Sequence, residues 1–274
     1  MSKIQKKILV TRPQHQLAEI SQLLSDNNYA ALAFSSIEIC AVNLTPQLKQ
    51  TLCSINDYDL IIFISANAVQ HALKLLQQQN IKLADISASI ATIGKATRNA
   101  AIAAGFKVDI SPQQGFNSES LLALNELQTE QINATRCLII RGVGGLEHLA
   151  NTLQQRGAQV NYAEVYQRCI PQFDGDVSRQ VLRKNWPDFG INAITVTSNE
   201  SLQNLYDMLE LANNTLADKC LIMNTLIIVA SERSVKLAKS LGFKQIYCAQ
   251  SAINQHILEA LNSAFNNQST LKEN

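Results

Sequence analysis

An α/β fold of two similar halves, each built on a parallel sheet, is what this sequence predicts, and internal repetition is the main reason. First, Leu60-Ile-Ile-Phe-Ile-Ser-Ala-Asn-Ala-Val69 has a counterpart in Ala193-Ile-Thr-Val-Thr-Ser-Asn-Glu-Ser-Leu202. In both, an apolar or β-branched run of the kind a strand buried on both faces needs stops at a serine that opens an amphipathic segment. Second, the copies run on: Ile90-Ala-Thr-Ile-Gly-Lys-Ala-Thr97 with Ala104-Gly-Phe106 is echoed by Leu226-Ile-Ile-Val-Ala-Ser-Glu-Arg-Ser234 with Leu241-Gly-Phe243, which sets Thr97 opposite Ser234. Short strands at 107–110 and 245–248 and closing helices at 118–126 and 253–264 complete each long copy. Third, a shorter repeat precedes each one: Lys7-Ile-Leu-Val-Thr-Arg12, a helix and a strand resemble Arg136-Cys-Leu-Ile-Ile-Arg141, a helix and a strand.

A chain of 274 residues that is 46% hydrophobic has ample material for two cores. Its net charge of +1, with 16% charged residues, provides no field of one sign, so neither nucleic acid nor a membrane is expected as a partner. The opening Met-Ser-Lys-Ile-Gln-Lys-Lys leads into a strand far too short for a signal-peptide core or a spanning helix, and a cytoplasmic location is expected. Six cysteines (Cys40, Cys53, Cys137, Cys169, Cys220 and Cys248) lie apart with no Cys-x-x-Cys, mostly in apolar runs, and the four histidines are scattered. Buried reduced thiols and no metal site are therefore expected.

In chain order, residues 8–11 read as a buried strand, and Arg12-Pro13 passes to a helix over 15–26 with Pro13 in its first turn and Leu17, Ile20, Leu23 and Leu24 facing inward. Asn27-Asn28 is turn chemistry, and 31–39 alternates apolar residues with Ser35, Ser36 and Glu38 as a strand. Residues 37–42 are expected to cross between domains. Helices follow near 45–53, 66–79, 95–104 and 117–127. Ser65 and Ser198 can cap first-turn amides, and Asn67 and Asn199 add polar side chains at the same carboxyl edge, where open α/β sheets bind ligands. Each serine taken singly fits a helix cap and nothing more; the duplication favours a site. The loop Ser111-Pro-Gln-Gln-Gly-Phe-Asn-Ser118 fits a flap over a ligand or a plain connector equally well.

A strand over 137–140 ends in Arg141-Gly-Val-Gly-Gly145 ahead of a helix over 146–156. Gly142 and its neighbours would let ligand atoms reach free helix amides, and Arg141 would add a fixed positive charge, together a carboxylate or phosphate cradle. The spacing matches neither Gly-x-Gly-x-x-Gly nor a P-loop, so a nucleotide is not expected. Residues 157–168 lead to Pro171 as a second crossing, with Tyr166 upon it. A helix over 175–184, a loop over 186–190 and the second long copy follow, and the polar tail 266–274 is expected to fray.

Taken in this order, Ile8-Leu-Val-Thr-Arg-Pro13, Phe63-Ile-Ser-Ala-Asn-Ala-Val69, Ile93-Gly-Lys-Ala-Thr97, Arg141-Gly-Val-Gly-Gly145, Val165-Tyr-Gln-Arg168, Val196-Thr-Ser-Asn199 and Ser231-Glu-Arg233 resemble the uroporphyrinogen-III synthase family over nearly the whole chain. There are two departures: Leu146 stands where bacterial members often carry arginine, and Ser231-Glu-Arg233 replaces the Gly-Pro-x of many relatives. The resemblance implies two flavodoxin-like parallel-sheet domains joined by a two-stranded linker. Residues 1–38 would pack with 171–274, with 43–165 inserted and crossings near 37–42 and 165–170. It implies a cytoplasmic, monomeric enzyme with no cofactor and no metal. The substrate would be the linear tetrapyrrole hydroxymethylbilane, held in a cleft after transient handover from hydroxymethylbilane synthase.

That substrate is rich in carboxylates and loses one hydroxyl, leaving an electrophilic methylene that the terminal ring attacks at its substituted carbon; a spiro intermediate then rearranges and inverts the ring. A tyrosine phenol can donate a hydrogen bond to the departing oxygen, and Tyr166 matches the family's catalytic candidate. Arg12, Ser65, Asn67, Lys95, Thr97, Arg141, Gly142, Ser198, Asn199 and Ser234 match positions that would bind the carboxylates. From the residues alone, Tyr166 fits a packing role as well. A competing reading is a two-lobed small-molecule sensor without catalysis, although no helix-turn-helix or basic reading head is recognisable.

Overall fold

The computed structural model describes residues 5–115, 117–171, 190–211 and 216–270. Along the chain come β1 (Lys6–Val10), α1 (Leu17–Asp26), β2 (Tyr29–Ala33), β3 (Glu38–Ala41), α2 (Pro46–Cys53), β4 (Leu60–Phe63), α3 (Ala66–Gln78), β5 (Ser89–Thr92), α4 (Lys95–Ala103), α5 (Ser118–Leu122), α6 (Thr129–Ile132), β6 (Arg136–Gly142), α7 (His148–Gln155) and β7 (Gln159–Cys169). After the undescribed segment follow β8 (Ile191–Val196), α8 (Asn199–Leu211), α9 (Leu216–Asn224), β9 (Leu226–Val229), α10 (Glu232–Ser240), β10 (Ile246–Cys248) and α11 (Asn254–Thr270). The expected helix over 175–184 and the loop over 186–189 lie outside the described residues.

The described chain divides into two compact units, one holding residues up to 38 and from 169 on, the other residues 39–168. The first has the strand order β10-β9-β8-β1-β2 and the second β3-β7-β6-β4-β5. Every strand pairing that involves β1, β4, β6 or β8 is parallel. Leaving β3 aside, β7, β6, β4 and β5 hold the places of β2, β1, β8 and β9, and Ile110, bridged in parallel to Ala91, stands where β10 does.

Period-two alternation distributes each central strand's side chains to two cores, which is why β4 and β9 are apolar from end to end, whereas β7 carries Asn161, Glu164 and Gln167. In the second unit Ile61, Phe63, Leu138 and Ile140 pack with α2, α3 and α4, while Leu60, Ile62, Cys137 and Ile139 pack with α5, α6 and α7. In the first, Ile8, Val10 and Ile228 meet α1 and α11, whereas Leu9, Ile194, Val196 and Ile227 meet α8, α9 and α10. With both faces covered, polar chemistry is left to the strand ends.

Several elements differ from the sequence expectation. The strand expected over 31–39 stops at Ala33, because Ser36 turns inward, donates its amide to the Thr11 carbonyl at 3.2 Å and is fully buried. A 3-10 turn, Gln14–Gln16, precedes α1, and Pro13 stands just ahead of it. The helix expected over 117–127 ends at Leu122, where Gln128 and Arg156 both donate to the Leu122 carbonyl at 2.8 Å. The strand expected over 107–110 is reduced to its last residue, and the helix expected from 146 begins at His148. Of the tail expected to fray from 266, the described part is helical: α11 continues to Thr270, and Phe265 stacks on Tyr29 with ring centroids 5.9 Å apart. Of the six cysteines, only Cys137 is buried, and Cys53 and Cys220 are exposed. An apolar neighbourhood in sequence does not say which way the thiol at a helix end points.

Where β1, β8 and the turn after β2 meet, buried hydroxyls form a knot. Thr11 Oγ1 donates to the Thr195 carbonyl at 2.9 Å, lies 3.1 Å from Ser201 Oγ, and Ser201 Oγ is 2.5 Å from Ser36 Oγ. Each hydroxyl satisfies another away from water, so removing one strands the rest. Ser201→Ala should destabilise the protein by about 1–3 kcal/mol, read as a lower urea midpoint at unchanged slope; an unchanged midpoint would show that the knot is not needed.

Candidate active site

Parallel strands lie about 4.8 Å apart, so the carboxyl ends of β7, β6, β4 and β5 form a row about 14 Å long. Seven sequence-predicted residues lie along it: Ser65, Asn67, Lys95, Thr97, Arg141, Gly142 and Tyr166. β4 hands over to α3 at Ser65, whose Oγ accepts from the Ala68 amide at 3.0 Å and also lies 3.2 Å from the Tyr166 hydroxyl. One serine is thus both the helix cap and a partner of the phenol. Asn67 follows on the first turn of α3, half-buried.

Tyr166 is 5% exposed, and its ring stands 5.7 Å, centroid to centroid, from His71 of α3. Burial, helped by Lys74, holds the His71 imidazole below its ordinary pKa and so neutral at neutral pH. Below the phenol lies Gly142: a Cβ there would sit 2.6 Å from Tyr166 Cζ. The glycine expected to admit ligand atoms instead admits the tyrosine ring. The β6–β7 register also breaks at this point, running Arg141 opposite Glu164 and then Gly142 opposite Tyr166, so that Val165 is an extra residue on β7.

Arg141 departs from its expected role as a free cation. Its side chain is 8% exposed and paired with Glu147 at 2.9 Å and Glu164 at 3.0 Å. Nη1 also donates to the Gly145 carbonyl at 3.1 Å, and the guanidinium lies 3.6 Å over the Tyr162 ring. The Tyr162 hydroxyl donates to Glu147, and burial together with that bond pushes its pKa up to about 12, while the same bond and Arg141 hold the Glu147 carboxyl below the usual range. Charge that the sequence offered to a ligand is consumed within the protein.

One strand further along, α4 starts at Gly94, which has no side chain to cap its amides. Exposed Lys95 and Thr97, only 4% exposed, border a shallow cavity of about 450 Å³ with Ile93, Ala96 and Asn99. Uncapped first-turn amides, an ammonium and a hydroxyl suit a carboxylate.

The first unit carries its own edge. Arg12 donates to Gln16 Oε1 at 3.1 Å and to the Ala252 carbonyl, with burial lowering its pKa. Ser198 caps α8 by accepting from the Ser201 amide at 3.0 Å. Ser234, 2% exposed, donates to Asn199 Oδ1 at 2.6 Å and lies 2.9 Å from Ser231 Oγ, the cap of α10. Sequence reasoning missed His71, Glu164 and Ser231; only Ser231 left a signal, a serine three residues ahead of another at a helix start. Among the described residues no group of three or more His, Cys, Asp or Glu could hold a metal ion, and no helix is long and apolar enough to cross a membrane.

A sequence profile described as Uroporphyrinogen-III synthase HemD matches residues 18–259. The uroporphyrinogen-III synthase of Escherichia coli K12 is 35% identical over 93% of this chain and 99% of its own length. The chain belongs to the uroporphyrinogen-III synthase family. Membership makes it an enzyme, a lyase of porphyrin and haem biosynthesis. Two solved structures share the mixed α/β fold with parallel sheets: the uroporphyrinogen-III synthetase of Helicobacter pylori, with a TM-score of 0.55 at 16% identity over 94% of this chain and 99% of that one, and a mutant uroporphyrinogen III synthase of Thermus thermophilus, with 0.54 at 14% over 96% and 99%.

For this family member, Gly142→Ala should drive the Tyr166 ring off its seat, costing about 1–3 kcal/mol as overpacking does and slowing turnover. Urea unfolding and steady-state rates check both; full stability with parent turnover would show that the ring can shift freely.

Proposed function

We propose that Tyr166 and the carboxyl edges of the two sheets carry the family's reaction, the cyclisation of hydroxymethylbilane to uroporphyrinogen III with loss of water and inversion of ring D. The observation that carries the reading is the Tyr166 hydroxyl, set 3.2 Å from Ser65 Oγ at a strand-end row that also holds uncapped helix amides. Ser65 fixes the direction of the phenol, leaving its proton to be donated to the departing hydroxyl. As the carbon–oxygen bond breaks, the proton goes to the leaving oxygen as water. The methylene left behind is attacked by the terminal ring at its substituted carbon, and the spiro intermediate rearranges with that ring inverted.

Substrate carboxylates are bound, in this reading, by Gly94, Lys95 and Thr97 at the start of α4, by Asn67 beside Ser65, and by Arg12, Ser198, Asn199 and Ser234 on the first unit. Each unit is taken as a flavodoxin-like domain, with β3 and β7 as the two-stranded linker at the residues where the chain divides. The enzyme is read as a cytoplasmic monomer that receives its substrate by transient handover from hydroxymethylbilane synthase and needs no cofactor. A sensor without catalysis finds no support among the relatives.

The reaction has an uncatalysed competitor, because unconsumed bilane closes spontaneously to isomer I, and the ratio of isomer III to isomer I reads the enzyme directly. Tyr166→Phe keeps ring and packing but removes the donor, so isomer III should form roughly 10²-fold more slowly with thermal stability nearly unchanged. Thr97→Ala should cost about 1 kcal/mol of substrate affinity, or about 1.5–3 if its oxygen meets a charged carboxylate, and excess enzyme should restore the ratio. A Tyr166→Phe enzyme with parent turnover would reduce Tyr166 to a packing residue.

A further inference from the structure

Tyr162 and Glu164 project to the face of β7 where Arg141 lies, the guanidinium over the one ring and Nη2 3.0 Å from the other's carboxylate. Ala163 and Val165 project to the opposite face, into the core shared with α3. Continued alternation would return Tyr166 to the Arg141 face, away from Ser65. Instead Tyr166 joins Val165 in the α3 core, because β7 carries its extra residue between the Arg141–Glu164 pair and the Gly142–Tyr166 pair. The orientation of the proposed donor therefore depends on where that one-residue break falls. A slip of one residue reverses every side chain beyond it.

The ion pair sits immediately before the break. Arg141 Nε and Nη2 both reach Glu164 Oε1, at 3.2 and 3.0 Å, which ties β6 to β7 at the last regular step. Nη1 is held by Glu147 at 2.9 Å and by the Gly145 carbonyl at 3.1 Å, which fixes the strand's exit just past Gly142. Arg141 is 8% exposed but Glu164 is 36% exposed, so solvent screens the pair and its net contribution to stability is small; fixing a register is the best-attested use of such a contact. We infer that Arg141 and Glu164 are positioning residues for the reaction, pinning β6 against β7 so that the break falls at Val165 and the Tyr166 hydroxyl is turned to Ser65. Of the guanidinium's five N–H groups, the one on Nε, both on Nη1 and one on Nη2 are turned to protein oxygens, which leaves a single Nη2 N–H for any substrate contact.

The inference rests on Tyr166 being the donor, and the test separates the two. The protein's six tyrosines are labelled as 3-fluorotyrosine, and the ¹⁹F resonance missing from Tyr166→Phe identifies Tyr166. Arg141→Gln should move that resonance and lower kcat by up to roughly 10²-fold, the scale of a displaced catalytic group, with KM little changed. Glu164→Gln, which removes a half-exposed carboxylate, should do the same more weakly and decides the matter alone if Arg141→Gln does not fold. Raised KM at parent kcat with an unmoved resonance would make Arg141 a substrate cation and overturn the inference, as would an unmoved resonance and parent kcat in Glu164→Gln. Parent turnover in Tyr166→Phe defeats the donor role instead, while movement of the resonance in Arg141→Gln still supports the pinning of the register.

Discussion

Covering a parallel sheet with helices on both faces is the constraint from which the rest of this protein follows. Each central strand must then be apolar on both sides, as Ile61-Ile62-Phe63 and Leu226-Ile227-Ile228 are, and polar atoms collect where those strands stop. At those stops the next helix begins, with amides that have no partner inside the helix. Hydroxyl-bearing and small residues gather there for a structural reason before any chemistry is asked of them. The candidate edge is thus a by-product of the architecture.

The two edges occupy equivalent positions in the two strand orders and have diverged in how far they satisfy themselves. On the first unit Ser231 caps α10, bonds Ser234, and Ser234 bonds Asn199, so the groups close on one another. On the second, glycine replaces that cap at Gly94, and α4 presents its first turn with Lys95 and Thr97 around a cavity. A hydrogen bond already made must be broken before a ligand can use its members, so the second unit's edge is the readier to bind. Tyr166 stands at the opposite end of that same row.

How Tyr166 comes to stand there shows how little of a candidate site lies in its proposed donor. A strand break turns the ring over, a glycine leaves it room, a serine orients its hydroxyl and an imidazole backs it. Arg141, the residue whose charge looked most available, is committed to two carboxylates and a ring face. Its neighbour Leu146, 91% exposed, carries no charge to replace it.

The sequence by itself determined the α/β class, the buried central strands, the starts of α2, α3 and α4 and the positions that gather at the strand ends, because apolar runs and capping serines express local rules of burial and backbone satisfaction. It also made Ser65, Thr97 and Ser234 visible, since duplication marks positions that a single copy would leave ambiguous. Local rules are silent on what meets what across long separations. That Ser36 leaves the strand to join Ser201, and that Arg141 faces Glu164 rather than a ligand, were decided only by tertiary structure. Most of all, alternation along β7 implies one face for Tyr166, and a single extra residue opposite β6 sends it to the other. Register is a property of two strands together, and neither strand's sequence contains it alone.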